Sequence, residues 1–229
     1  LMEAKSESLG RMDVFVDTVK KAKEVLDVPL CVYTIGPFTL ASQMMGGENT
    51  CVACAMDPKF VVKLVEKSTE IVTKYASALV DAGADVYCML EPSAALISGR
   101  HFKKFSGPFC KEVFDATSKA WSVLHICGKT NHLLKGMVAT GAEALSLDAD
   151  VDFPELAKEC PDDVVLIGNT NPVLTVMQQS PAEIRESVRN LRRGMKDHKN
   201  FVLATGCDLP LETPVENVRA FIEAGKDKL

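Results

Sequence analysis

The sequence predicts an α/β fold built on a parallel sheet. Two observations carry that expectation. Short, continuous apolar runs alternate with longer segments whose apolar residues recur at helical spacing. Continuous apolar strands joined by helical crossovers belong to parallel sheets covered on both faces. Each apolar run also breaks into polar or turn residues at its C-terminal end, as in "TIGPFT", "EPSA", "HICG", "SLDAD", "GNTN" and "TGCD". That is the edge at which the sites of parallel α/β proteins gather, in barrels and open sheets alike.

Taken in order, Arg11 to Leu26 places Met12, Phe15, Val16, Val19, Ala22 and Leu26 on one helical face. "PLCVYTIGP" (Pro29 to Pro37) reads as a buried strand. Asp57 is a natural N-cap and Pro58 suits the first position of a helix running to about Ala82, which Gly83 closes. "DVYCMLEP" (Asp85 to Pro92) is a strand, and Gly107-Pro108 starts a helix to about Ala120. "WSVLHICG" (Trp121 to Gly128) is a strand, and Asn131 to Thr140 a short helix ended by Gly141. "ALSLDA" (Ala144 to Ala149) is a strand, and Pro154 to Glu159 a short helix. "VVLIGNTNP" (Val164 to Pro172) and "FVLATGCDLP" (Phe201 to Pro210) are strands separated by a helix from Pro181 to about Arg193. Thr213 caps a final helix that starts at Pro214. Six strands in 229 residues suit either a doubly wound sheet or a (β/α)8 barrel lacking two units. No linker or low-complexity stretch divides the chain, so residues 1–229 read as one domain.

Composition bounds the function. The net charge of −5 and the lack of any basic block argue against a nucleic-acid partner. No apolar run is long enough to span a membrane. The chain begins at Leu1, and "LMEAKSESLG" is no signal peptide, so it reads as a piece of a longer chain. Eight cysteines invite a disulfide framework, but several sit inside apolar runs, where a thiol acts as a small hydrophobe. The reading is a reduced, cytoplasmic protein.

The chemistry concentrates at the strand ends. His125 and Cys127 share parity on one strand and so point to the same side. Cys207, eighty residues on, ends the last strand on the same rim. One imidazole and two thiols suit zinc and leave a fourth position for substrate. A thiol coordinated there loses its proton and becomes a nucleophile at neutral pH. The alternative is that all three are core residues. Glu91 is a candidate general base, metal ligand or polar strand end. Asp148 and Asn169 stand on the same rim as candidate cofactor-binding groups. His132, in the following helix, offers a fourth ligand as the alternative to the favoured reading, a solvated side chain. Cys51 and Cys54 form a C-x-x-C of structural or lid-loop character, and His101 and His198 read as surface residues.

"YTIGPFTLASQMMGG", "EPSAALIS", "HICG", "LSLDADVD", "GNTNP" and "ATGCDLPLETPVENVRAFIEAG" resemble, in order, the landmarks of the uroporphyrinogen decarboxylase superfamily, from about Pro29 to Gly225. The His-x-Cys…Cys pattern resembles its zinc-dependent methylcobamide:coenzyme M methyltransferase branch. That resemblance implies a (β/α)8 TIM-barrel-type fold lacking its first two strand–helix units, with exposed strand edges. It implies zinc held by His125, Cys127 and Cys207, with Glu91 completing the shell when no thiol is bound. It also implies methylcobalamin or another corrinoid as methyl donor, carried by a small partner corrinoid protein, and a thiol such as coenzyme M as acceptor. The alternatives are a metal-free decarboxylase-like enzyme, or a non-catalytic corrinoid- or tetrapyrrole-binding module.

Overall fold

A computed structural model describes residues 10–227; the opening stretch read above as no signal peptide lies, apart from Gly10, outside them. The described residues divide into two compact units, one of residues 10–125 with 135–143 and one of residues 126–134 with 144–227.

In the first unit, α1 (Met12–Val25) leads into β1 (Cys31–Ile35), followed by α2 (Pro37–Met45), α3 (Gly47–Met56) and the long α4 (Pro58–Asp81). Then come β2 (Val86–Leu90), a 3-10 turn (Pro92–Leu96), α5 (Gly99–Phe105), α6 (Gly107–Ala116) and β3 (Trp121–Ile126). Asp57 caps α4 as expected, its side chain accepting from the Phe60 N–H at 3.1 Å, with Pro58 at the first position. Gly83 follows the helix at φ +112°, a conformation open to glycine. The α4 face carrying Val61, Val65, Val72, Ala76 and Leu79 is buried.

The strands pair in parallel, Cys31 opposite Val86 and Val86 opposite Trp121, through to Leu90 opposite His125. One face, with Val32, Tyr87, Met89 and Leu124, is buried. On the other stand Tyr33 and Trp121, 69% and 66% exposed, although their continuous apolar runs predict burial on both faces. Apolar composition states what a face can bury, and tertiary packing decides what is there to cover it; Tyr33 lies on the edge strand β1, Trp121 on the interior strand β3.

The second unit holds the 3-10 turn Asn131–Leu133, β4 (Ala144–Leu147), β5 (Val165–Thr170), a π-helical turn (Pro172–Met177) and β6 (Phe201–Thr205). A short α7 (Leu134–Val138) runs from it into the first unit; α8 (Phe153–Ala157), α9 (Pro181–Gly194) and α10 (Val215–Lys226) complete the second. Here too the strands are parallel, with Ala144 opposite Val165 and Leu166 opposite Phe201. Ile184 and Val188 of α9 and Ala220 and Ala224 of α10 form a buried cluster beneath Leu203 and Phe221.

Ser180 caps α9 in a reciprocal capping box with Glu183, which the sequence reading missed. Ser180→Ala is expected to cost about 1 kcal/mol, read as a lower urea midpoint at unchanged slope. Thr213, expected to cap the last helix, does not: α10 starts at Val215 after Pro214, with no side-chain cap. The helix from Gly107 ends at Ala116 rather than near Ala120, and Asn131 to Thr140 splits into a 3-10 turn and a single short α-helix. α2, α3 and α5 were not anticipated. Their segments carry weak apolar periodicity, and helices this short form by packing on neighbours rather than by propensity.

All six strands follow chain order in one sheet, β1-β2-β3-β4-β5-β6. A doubly wound sheet reverses direction at a switch point, and this order does not. The connectivity is that of the (β/α)8 type, with β1 and β6 as edges. No helix among the described residues is long and apolar enough to cross a membrane.

Candidate metal centre at the strand ends

Each site residue lies at, or just past, the C-terminal end of a strand. Cys127 follows β3 directly, and Cys207 follows β6 by two residues. Their Sγ atoms are 3.7 Å apart, well beyond a disulfide bond length. Both residues are half-buried, and none of the eight cysteines is in a disulfide. His125 stands two residues before Cys127 on the same chain, also half-buried, while Ile126 between them is fully buried. The period-two alternation of β3 thus turns His125 and Cys127 to one side and Ile126 to the other. Among the described residues, His125, Cys127 and Cys207 are the group of His, Cys, Asp and Glu side chains that could hold a metal ion.

The electrostatics around Cys127 favour a cation. Burial, then the neighbouring Cys207 and the carboxylates of Asp148 and Asp208, push its thiol up to about 12. The Cys127 thiol, beside a second sulfur and two carboxylates, resists ionising on its own account. A bound dication reverses that balance, because a coordinated thiol is deprotonated outright.

Asp148 and Asn169 stand close behind this pair, and their side chains are engaged by backbone. Asp148 Oδ2 accepts from the Gly128 N–H at 2.8 Å, and Oδ1 from the Ala149 N–H at 2.6 Å. The buried Asn169 amide donates to the carbonyls of Asp148 (3.1 Å) and Val151 (2.7 Å).

Glu91, in the first unit, is fully buried. Its Oε1 accepts from the N–H (2.5 Å) and the hydroxyl of Thr39, and its Oε2 from the Phe38 N–H at 3.2 Å, with the Cys110 thiol 3.7 Å away. The carboxylate therefore sits on the first turn of α2, where free backbone N–H groups and the helix dipole favour an anion. A Cβ on Gly36 would come within 2.2 Å of Glu91 Oε2, so that glycine makes room for the carboxylate. Burial pushes the Glu91 carboxyl up to about 7, against the opposing pull of the Thr39, Phe38 and Cys110 donors. Glu91 is not a member of the His125–Cys127–Cys207 group. Its donors come from "GPFT", which was legible as a strand end but not as the cradle of a residue over fifty positions away.

Of the other residues singled out in the sequence, Cys51 and Cys54 lie on α3, with Cys54 buried. His132 is exposed in its 3-10 turn, and His198 is half-buried rather than on the surface, its Nε2 enclosed without a hydrogen-bond partner.

Comparison with known proteins bears on all of this. Residues 1–227 match the family model described as uroporphyrinogen decarboxylase (URO-D). Over 224 residues the chain is 29% identical to methylcobamide:CoM methyltransferase MtbA of Methanosarcina acetivorans, covering 95% of this chain and 64% of that one. It is 32% identical over 200 residues to a uroporphyrinogen decarboxylase of Prochlorococcus marinus, covering 83% and 56%. The structure of a methyltransferase from Methanosarcina mazei superposes with a TM-score of 0.85 at 28% identity, covering 94% of this chain and 64% of that one. The chain thus spans under two thirds of the length of these relatives. With the family model matched across almost its whole length and its strands in (β/α)8 order, the chain belongs to the uroporphyrinogen decarboxylase family.

Proposed function

We propose that this protein is a zinc-dependent methyltransferase that moves a methyl group from a methylated corrinoid, carried by a small partner protein, to a small thiol of the coenzyme M type. One observation carries the reading: two cysteine sulfurs from β-strand ends eighty residues apart meet at 3.7 Å, next along the chain to a histidine of matching parity. Tetrahedral zinc binds thiolate sulfur at about 2.3 Å, which sets two ligating sulfurs about 3.8 Å apart. The observed separation fits that span, and a His-plus-two-Cys donor set is one that catalytic zinc uses while keeping a position open. The naming of a relative as a methylcobamide:CoM methyltransferase supports the same assignment.

His125, Cys127 and Cys207 would hold the ion. When bound there, zinc supplies a lowered pKa for the acceptor thiol, so that a thiolate is present at neutral pH. With the methylated corrinoid as substrate, the acceptor sulfur would attack its methyl group, the S–C bond forming as the Co–C bond breaks and the electron pair of that bond staying on cobalt. Asp148 and Asn169 shape the backbone around the site. For Glu91 to complete the metal shell in the absence of a thiol, its carboxylate would have to leave Thr39 and Phe38, a motion that thiol binding would reverse. A cytoplasmic setting, with reduced cysteines, belongs to the same reading.

The test is methylcobalamin demethylation by the zinc-loaded chain with added thiols, followed in the cobalamin spectrum, beside metal analysis. About one zinc per chain and thiol-dependent demethylation are the expected results. A metal-free chain that decarboxylates a porphyrinogen would favour the reading carried by the Prochlorococcus relative. Corrinoid binding without methyl loss would leave a binding module.

A further inference from the structure

We infer that the Asp148–Ala149 turn at the end of β4 sets the spacing of the two cysteine sulfurs, with Asp148 a positioning residue for the ion they share; this rests on the metal reading above. The two thiol-bearing segments lean on the same two residues. On one side, Asp148 Oδ2 holds the Gly128 N–H at 2.8 Å, the first peptide after Cys127, in a turn where Gly128 has φ +79°. On the other, Gly206 immediately precedes Cys207 and packs directly on the turn. A Cβ there would lie 2.5 Å from the Ala149 nitrogen and 3.0 Å from the Asp148 carbonyl carbon. No side chain larger than hydrogen fits without moving backbone.

The turn is itself braced. Asp148 Oδ1 closes on the Ala149 N–H, and the buried Asn169 amide ties down the Asp148 and Val151 carbonyls. A single backbone corner, held by one carboxylate and one amide, thus touches the chain next to both sulfurs. The carboxylate also places a negative charge on the peptide next to Cys127, which favours a dication at that corner. The geometry explains why an acidic residue at this strand end is spent on backbone and yet matters to the metal. Outer-shell groups that orient ligands typically change metal affinity 10–100-fold.

The experiment loads the metal-free chain with Co2+, whose thiolate charge-transfer and ligand-field bands report coordination geometry directly. Zinc affinity is measured in parallel by competition with a chromophoric chelator. Asp148→Ala is expected to weaken both metals by about 10–100-fold and to shift the ligand-field bands. Asp148→Asn keeps an acceptor for Gly128 but removes the charge; it is expected to hold the band positions and lose affinity by a smaller factor. If the parent shows the thiolate–cobalt bands and both variants match it in spectrum and affinity, the positioning inference is overturned while the metal reading stands. If the parent itself shows no thiolate–cobalt band, the metal reading fails and the inference with it. If Asp148→Ala does not fold, as read by its thermal melt, Gly206→Ala decides, since its Cβ must push the Cys207 segment off the turn: bands and affinity equal to the parent's overturn the inference, and shifted bands with a loss of affinity support it.

Discussion

Replacing Cys207 with Ser is expected to lower zinc affinity by more than about 100-fold, since loss of an outer-shell partner alone typically costs 10–100-fold and Cys207 supplies a ligand atom. The substitution removes a soft sulfur that a bound metal would deprotonate and offers a hydroxyl that stays protonated at neutral pH. The remaining His125 and Cys127 leave two open positions where the proposed site has one. Cys31→Ser, at an exposed thiol of β1, serves as the control and is expected to bind zinc like the parent. Chelator competition on the three proteins provides the measurement. Equal affinity for Cys207→Ser and the parent would sink the ligand assignment, and with it the proposed activation of the acceptor thiol.

Glu91→Ala is expected to be the most damaging substitution for stability, costing about 2–4 kcal/mol, the range for stranding two or more buried donors. The Phe38 and Thr39 N–H groups and the Thr39 hydroxyl all point at this carboxylate from α2, in a region where Glu91, Phe38 and Thr39 are almost completely buried. Removal of the carboxylate leaves those donors without water or protein partners, and it opens a cavity beside Gly36. Glu91→Gln keeps the volume and one oxygen, and is expected to cost about half as much.

A pH dependence accompanies the effect. The folded carboxyl, at about 7, lies above its ordinary value of 4.5, so the folded state binds more protons in between. The stability this contributes is fully present below about pH 4.5 and is lost as pH rises through 7. The parent's advantage over Glu91→Gln therefore shrinks across that interval. Urea unfolding of both proteins at pH 5 and pH 7.5 reads it; an advantage that grows with pH would contradict the burial assigned to this carboxyl.

Much of the fold was legible because its signals are local. Short continuous apolar runs located all six strands, and Asp57-Pro58 and Gly83 bounded α4 to within a residue or two. Where the sequence reading went astray, the deciding contact was distant. Thr213 had the chemistry of a cap but not the backbone position, because Pro214 lies outside α10. α2 reads as an apolar continuation of β1 in "TIGPFT", and becomes a helix with Glu91 on its first turn.

What the sequence by itself determined is the division of labour along each strand. The period of two puts His125 and Cys127 on one side of β3, with Ile126 on the other, and the polar breaks mark the rim. These follow from geometry within a few residues of each position, which is all that local composition encodes. Only the tertiary structure decided that Cys207 comes within 3.7 Å of Cys127. It also decided that Asp148 spends its carboxylate on Gly128, and that Glu91 is enclosed by a helix more than fifty residues earlier. Those pairings depend on strand register and on how each crossover returns the chain to the sheet. Side-chain spacing along the sequence carries no record of either, and so two ligands were visible from one stretch of sequence while their spacing to the third was not.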